Sequence, residues 1–300
     1  MRRMISSIVD GRGFDVLLVG LAMAFLLVMA GLPLVYNVLM SFQQVDMFTL
    51  GTWVRPWAGW DNYAEVIAQP EFGLILRNTG FFVFGSIGGQ FALGFLLALF
   101  FTLRFPFAAT IRGLFLVSWV MPGLVVGAIW SFILAGDFGV LNAILNQLGL
   151  IDRNLFWKSD PALSIWAVTI ANIWLGLAFN MLLLSVGLAA IPRDLYEAAE
   201  LDGAGAVQRF GTITLPMMRS TVGAVLALGL IYTLQQFDLF PAISEGGPAN
   251  SSNVAQYWAW QWSFLLFDFA KGAAVSVMML AFVLGAAAVY VWSTQAEVRG

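Results

Sequence analysis

Cysteine and histidine are both absent from this chain. Without cysteine, disulfides and thiolate metal sites are excluded. Without histidine, the commonest general base and the commonest metal ligand are missing. Charge is scarce too: Asp, Glu, Lys and Arg make up 10% of the 300 residues, against roughly 25% in soluble domains. No stretch follows the G-x-x-x-x-G-K-[ST] pattern, so the chain has no phosphate loop of its own to bind ATP. The short alternating segments of a transmembrane barrel do not dominate. No convincing internal repeat is found, which argues against inverted-repeat secondary transporters.

What is there is apolar. Hydrophobic residues make up 60% of the chain and aromatic ones 15%, with a mean hydropathy of +0.86. Several apolar runs exceed the roughly 20 residues that cross a bilayer as a helix. Because backbone polar groups must be satisfied within lipid, the expected fold is all-α, a polytopic helical membrane protein. One domain, 1–300, accommodates six spans at about 16–42, 79–101, 112–134, 164–190, 219–243 and 271–293. The first run is too long for the apolar region of a cleaved signal peptide and reads as an uncleaved span behind a basic tail, 1–15.

Six spans put both termini on one side. Nine arginines share that side: Arg2, Arg3, Arg12, Arg104, Arg112, Arg193, Arg209, Arg219 and Arg299. Five cations, Arg55, Arg77, Arg153, Lys158 and Lys271, fall on the other. The imbalance predicts that both termini are cytoplasmic, and the expected location is the bacterial cytoplasmic (inner) membrane. The exterior segments 43–78, 135–161 and 244–271 read as interfacial caps or as a docking surface for an external partner. Trp53, Trp57 and Trp60 in the first of these suit a membrane interface.

One stretch is out of keeping with the rest. "EAAELDGAGAVQRFGTITLP", 197–216, is polar and rich in small residues, between two apolar runs. Pro192 suits a first helical turn, and Asp194 and Glu197 lie near the positive end of the helix dipole. Gly203 can take the left-handed conformation that ends a helix. Val207, Phe210 and Ile213 follow at helical spacing, and Pro216 punctuates the next span. This predicts a compact cytoplasmic helical elbow within 191–218, either a solvated loop or a docking element.

The pattern Glu197-Ala198-Ala199, three residues, Gly203, nine residues, Ile213-x-Leu215-Pro216 resembles the EAA loop of bacterial ABC-importer permeases. Its surroundings, "IPRDLYEAAELDGAGAVQRFGTITLP", resemble the carbohydrate-uptake branch of maltose and glycerol-phosphate type. "FDLFPAISEGGPANSS", "GLPLVYNVLMSF" and "WDNYAEV" extend the likeness over nearly the whole chain. The resemblance implies a type I importer permease fold whose elbow is a coupling helix, with Glu197, Ala198, Ala199, Asp202 and Gly203 against a separate ATPase. Glu197 would make the acidic contact, and Gly203 would permit the turn. The chain itself would hold no cofactor and no metal, have no catalytic residue and do no bond chemistry; ATP and Mg would reside on two ATP-binding cassette subunits. A second, similar permease, an extracytoplasmic solute-binding protein and the lipid bilayer complete the implied partners, with no nucleic acid among them. The tail "STQAEVRG" and the amino-terminal pattern resemble the first member of a heterodimeric pair.

Polar side chains within spans are costly and mark candidate sites. Asn172, Asn180, Thr233, Gln235, Gln236 and Asp238 qualify, as ligands for sugar hydroxyls or as interhelical hydrogen-bond partners. Trp130, Trp166 and Trp174 suit stacking on a sugar face or plain packing. By resemblance, Asn172, Leu175, Gly176 and Phe179 line one helix face and Gly229, Thr233 and Gln236 another, as sugar contacts. Thr233 and Gln236 stand where maltose permeases have Asn, so the pattern departs from maltose specificity. Asp238 reads as a rim acid. With no Lys or Arg deep in the spans, the expected solute is neutral and polyhydroxylated. An ion-gradient transporter would need a buried acid or histidine, and an intramembrane enzyme a nucleophile and base; Asp238 is the one acid open to the former. Amino-acid and metal-ion ABC permeases are further alternatives.

Overall fold

The computed structural model describes residues 12–52, 54–103 and 105–299; the tail 1–11, Trp53, Arg104 and Gly300 lie outside the described residues. The protein is all-α, with two isolated bridges and no strand among the described residues. Four helices are long and apolar enough to cross a membrane: Gly13–Ser41, Phe72–Phe100, Ser164–Ala189 and Phe269–Tyr290. Two bent pairs raise the number to six if each is one span. The chain divides into two compact units, one of residues up to Gln69 with Ala259–Met278, the other of Pro70–Trp258 with the residues from Met279 on.

In the first unit, the Gly13–Ser41 helix buries none of its most apolar stretch. A helix that is apolar all round and unburied by protein suits lipid as its solvent. A π-helical turn, Leu27–Gly31, precedes Pro33. Proline cannot donate to the preceding turn, and a π-bulge is one way to absorb that. At the helix end Phe42 meets Trp57, Trp60 and Tyr63 with ring centroids 5.6, 5.1 and 5.3 Å away. The Asn62 amide donates to the carbonyls of Ser41 and Gln43 at 2.9 Å each. The Asp46 carboxylate accepts from the Thr49 hydroxyl and from the backbone of Thr49 and Phe48, which holds its pKa below the ordinary value. Lys271 joins Glu65 at 2.9 Å and Asp268 at 3.2 Å.

The second unit is organised by the paired helices Phe72–Phe100 and Ser164–Ala189. Gly89 lies against Ile173, and Gly94 against the backbone of Met181; a Cβ at 94 would stand 3.0 Å from the Met181 nitrogen. Small residues let helix backbones approach this closely. The range 112–134 is not one straight helix. Ala108–Val120 and Gly123–Ile133 meet at 101°, because Pro122 lacks an N–H and holds Met121 extended, at φ −67° and ψ 139°. Helix Arg219–Leu234 stops before Gln235, and a short helix, Leu239–Ile243, resumes after Asp238. Pro241 explains the interruption: a continuous helix would drive its ring into the carbonyl of Phe237. Asn78 donates to the carbonyls of Asn250 and Asn253 at 2.9 and 3.2 Å, which fastens the turn-rich loop to the Phe72–Phe100 helix.

Candidate solute site and elbow

A cavity of about 220 Å³ opens where the broken helices meet the straight ones. Eight of the residues expected from the sequence line it: Asn172, Leu175, Gly176, Phe179, Gly229, Thr233, Gln236 and Asp238. Trp130 does not; it packs against Trp174 with ring centroids 6.2 Å apart. Gln236 reaches the cavity from the unwound segment rather than from a helix face shared with Gly229 and Thr233. Gln90, Trp119, Met121, Gly123, Asn180 and Tyr232 complete the lining. Gln90 had a signal in the sequence, an amide in the middle of an apolar run. Trp119 and Gly123 had none, because they enter through the bend at Pro122.

The polar groups differ in how far they are satisfied. The Asn180 amide donates to the carbonyl of Gly176 at 2.9 Å. Gln90 Nε2 donates to the carbonyl of Asn172 at 2.8 Å. Asn172 is 3% exposed, and its own Nδ2 is buried with no hydrogen-bond partner among the described residues. A buried amide without a partner costs about 1–3 kcal/mol. A ligand hydroxyl accepting from it would recover that. Trp119, Phe179 and Tyr232 form a row of rings, 5.3 and 5.5 Å between successive centroids. Such a row offers a π-face to an apolar ligand surface. The Asp238 carboxylate lies against Gly123, where a Cβ would stand 2.8 Å from Oδ2. Gly123 begins helix Gly123–Ile133, so the carboxylate sits at the positive end of that helix dipole. No Lys or Arg lines the cavity.

Both cavity helices lead into the elbow. Ser164–Ala189 passes through Pro192 into Arg193–Leu201; Ala206–Arg209, a π turn Phe210–Thr214 and Leu215–Met217 then lead into Arg219–Leu234. Gly203 closes the first elbow helix at φ +80°. Its N–H bonds to the carbonyl of Glu200 at 3.0 Å, and that of Ala204 to Ala199 at 2.9 Å, the pattern of a Schellman end. Glu200 and Arg209 pair at 2.9 Å, and the hydroxyls of Tyr196 and Thr214 lie 2.8 Å apart. Tyr196, Phe210 and Ile213 pack onto a core containing Phe95, Leu184, Met218 and Val225. The opposite side is bare. Glu197, Ala198, Asp202 and Gly203 are exposed and Ala199 half-buried. Leu201 and Val207 are 90% and 88% exposed.

Apolar helices, four to six of them long enough to cross a membrane, around a small cavity with polar side chains make the architecture of a membrane permease. The chain belongs to the family of inner membrane components of binding-protein-dependent transport systems, whose model matches residues 90–297. It is 33% identical over 236 residues to the trehalose/maltose transport system permease protein MalF of Thermococcus litoralis, covering 79% of each chain. It is 32% identical over 232 residues to the sulfoquinovosyl glycerol transport system permease protein SmoG of Agrobacterium fabrum, covering 77% of this chain and 75% of that one. In fold it is similar to a chain of a bacterial ABC transporter that imports the acidic polysaccharide alginate. There the TM-score is 0.76 at 22% identity, over 96% of this chain and 98% of the other.

Proposed function

We propose that this chain is the transmembrane, substrate-conducting subunit of an ATP-driven importer for a neutral sugar or sugar-like solute. One observation carries the reading: the elbow joins, end to end, the two helices that line the cavity, Ser164–Ala189 by its middle and Arg219–Leu234 by its last two turns. A displacement of the elbow therefore acts on both cavity walls at once. Packed helices have discrete arrangements rather than a continuum, so a lever attached to two of them can switch the cavity between faces.

In this mechanism two ATP-binding cassette subunits hold ATP and Mg, and close on them. Each draws on an elbow through the exposed face that carries Glu197, Asp202 and Leu201. The cavity passes from inward-facing to outward-facing, an extracytoplasmic binding protein delivers solute, and hydrolysis resets the arrangement. A second permease supplies the other half of the path, and both termini lie in the cytoplasm. The solved alginate transporter in complex with a pentasaccharide-bound periplasmic protein, a match with TM-score 0.75, supports the binding-protein step by analogy of fold. Within the cavity, Asn172, Thr233 and Gln236 hydrogen-bond hydroxyls, the ring row takes an apolar face, and Asp238 disfavours anions.

The test is uptake by the reconstituted complex. Inhibition by vanadate with indifference to an uncoupler is the expected result. Uptake abolished only by the uncoupler would replace this reading with an ion-gradient transporter. A ligand screen by thermal shift on the binding protein encoded beside this chain identifies the solute.

A further inference from the structure

A second cavity, of about 730 Å³, lies between the elbow and the helix ends beneath it. Three arginines line it from three separate segments: Arg112, Arg193 and Arg209. No Asp or Glu lines it. Arg209 is committed to Glu200 at 2.9 Å. The other two are not. Arg112 donates through Nη2 to the carbonyl of Phe101 at 3.0 Å and stands over that ring, but its Nε is buried without a partner. Arg193 is exposed and makes no ion pair among the described residues.

Interfacial arginines are common on one side of a membrane protein, but ordinarily each meets water on its own. Here two arginines without a carboxylate partner line one concavity whose wall combines apolar side chains, Leu99, Leu188 and Ile191, with the hydroxyl-bearing Thr102, Ser185, Tyr196 and Thr214. A guanidinium presents a planar fork of donors that matches a phosphate. An apolar wall beside such forks suits the organic part of the same ligand. We propose that this cavity binds a phosphate-bearing anion, held between Arg112 and Arg193, either the headgroup of an anionic phospholipid or a free phosphate compound. Arg193 belongs to the elbow and Arg112 to helix Ala108–Val120, so the ligand would tie the elbow to the membrane helices. That consequence for transport rests on the elbow's proposed role; the binding does not.

The experiment reads binding on the full-length chain, so its failure would leave the transport proposal standing. One arm places the chain in phosphatidylcholine nanodiscs with and without phosphatidylglycerol, and measures retained phosphatidylglycerol by native mass spectrometry. The other titrates inorganic phosphate and glycerol 3-phosphate against the chain in phosphatidylcholine alone, at constant ionic strength, and follows the thermal midpoint. Binding is expected in at least one arm, and which arm responds separates lipid from free anion. Arg193→Gln and Arg112→Gln should each weaken it about tenfold, the range for hydrogen bonds to ionised groups. Arg153→Gln, an exposed cation elsewhere, should leave it unchanged. If Arg112→Gln does not fold, Arg193→Gln decides the matter, since its side chain supports no contact. The proposal is overturned by no binding in either arm, by binding that survives Arg193→Gln, or by equal loss in Arg153→Gln.

Discussion

The side-chain amide of Gln90 donates to the backbone carbonyl of Asn172 at 2.8 Å and lies across Gly176, where a Cβ would collide with it. The two helices of the central pair are thereby locked at the cavity wall by one polar contact, possible only because residue 176 has no side chain. Gly176→Ala should push Gln90 off Asn172. Gln90→Leu should delete the donor while keeping the volume. Either change should cost about 1–3 kcal/mol, the range for disturbing a buried hydrogen-bonded group. The expected result is a lower thermal midpoint and about tenfold slower uptake, with the chain still assembling in the membrane. An unaltered midpoint in both variants would show that the contact is idle.

Asn172 and Gln236 line the cavity from different segments, helix Ser164–Ala189 and the stretch after helix Arg219–Leu234. Asn172→Ala and Gln236→Ala should each remove one or two hydrogen bonds to solute at about 1 kcal/mol apiece. That corresponds to a roughly fivefold rise in apparent KM for each bond lost. Asn172→Ala carries a second signature: it removes an unpartnered buried amide, so the solute-free chain should be no less stable than the parent. Uptake measured over a range of solute concentrations, beside thermal unfolding without solute, separates the two effects. Unchanged apparent affinity in both variants would mean that the solute passes elsewhere.

How far this was legible in the sequence depends on whether a local rule or a distant neighbour set each feature. Gly203 was readable as a helix end because only the local backbone decides it. Asn172, Leu175, Gly176 and Phe179 came as a set from the family resemblance, and their offsets of three, four and seven keep them on one face because the helix is unbroken. Gln236 was read onto the face of Gly229 and Thr233, but the helix ends at Leu234, ahead of Pro241, and Gln236 reaches the same cavity from the unwound segment. Trp119 was invisible because it reaches the cavity only through the 101° bend at Pro122. A Pro within an apolar run is the one sign that such a bend exists, and it gives no direction. Trp130 shows the converse: its chemistry suited a sugar, but its position beyond the bend packs it on Trp174 instead.

Glu197 sits on the bare side of the elbow, where its carboxylate touches nothing that holds the fold together. Glu197→Lys should therefore change the stability of the chain by no more than about 0.5 kcal/mol, as for other exposed substitutions. Against a docked ATPase the same change replaces an acidic contact by a repulsive one. Loss of a charge-assisted contact is worth about 1.5–3 kcal/mol, so solute-stimulated ATPase activity and uptake should both fall roughly tenfold or more. Quantities to compare are membrane yield, thermal midpoint, co-purification of the ATPase and its stimulated activity. Normal stimulation by the Lys variant would remove the docking assignment.

Asp238 is the sole carboxylate in the cavity lining, which holds no Lys or Arg, and it rests at the first turn of helix Gly123–Ile133. A carboxylate at this place is favoured by the positive end of that helix dipole. Its field then opposes the entry of any solute carrying a carboxylate, sulfonate or phosphate. Asp238→Asn keeps the shape and deletes the charge. Uptake of a neutral sugar should change little in the variant, whereas an anionic analogue should compete several-fold better than it does against the parent. Because Asp238 is exposed, the discrimination in the parent should weaken as salt is raised and the charge is screened. Competition assays with a neutral sugar and its uronate, at low and high salt, read both effects. Equal competition by the uronate in parent and variant would show that Asp238 plays no part in selecting the solute.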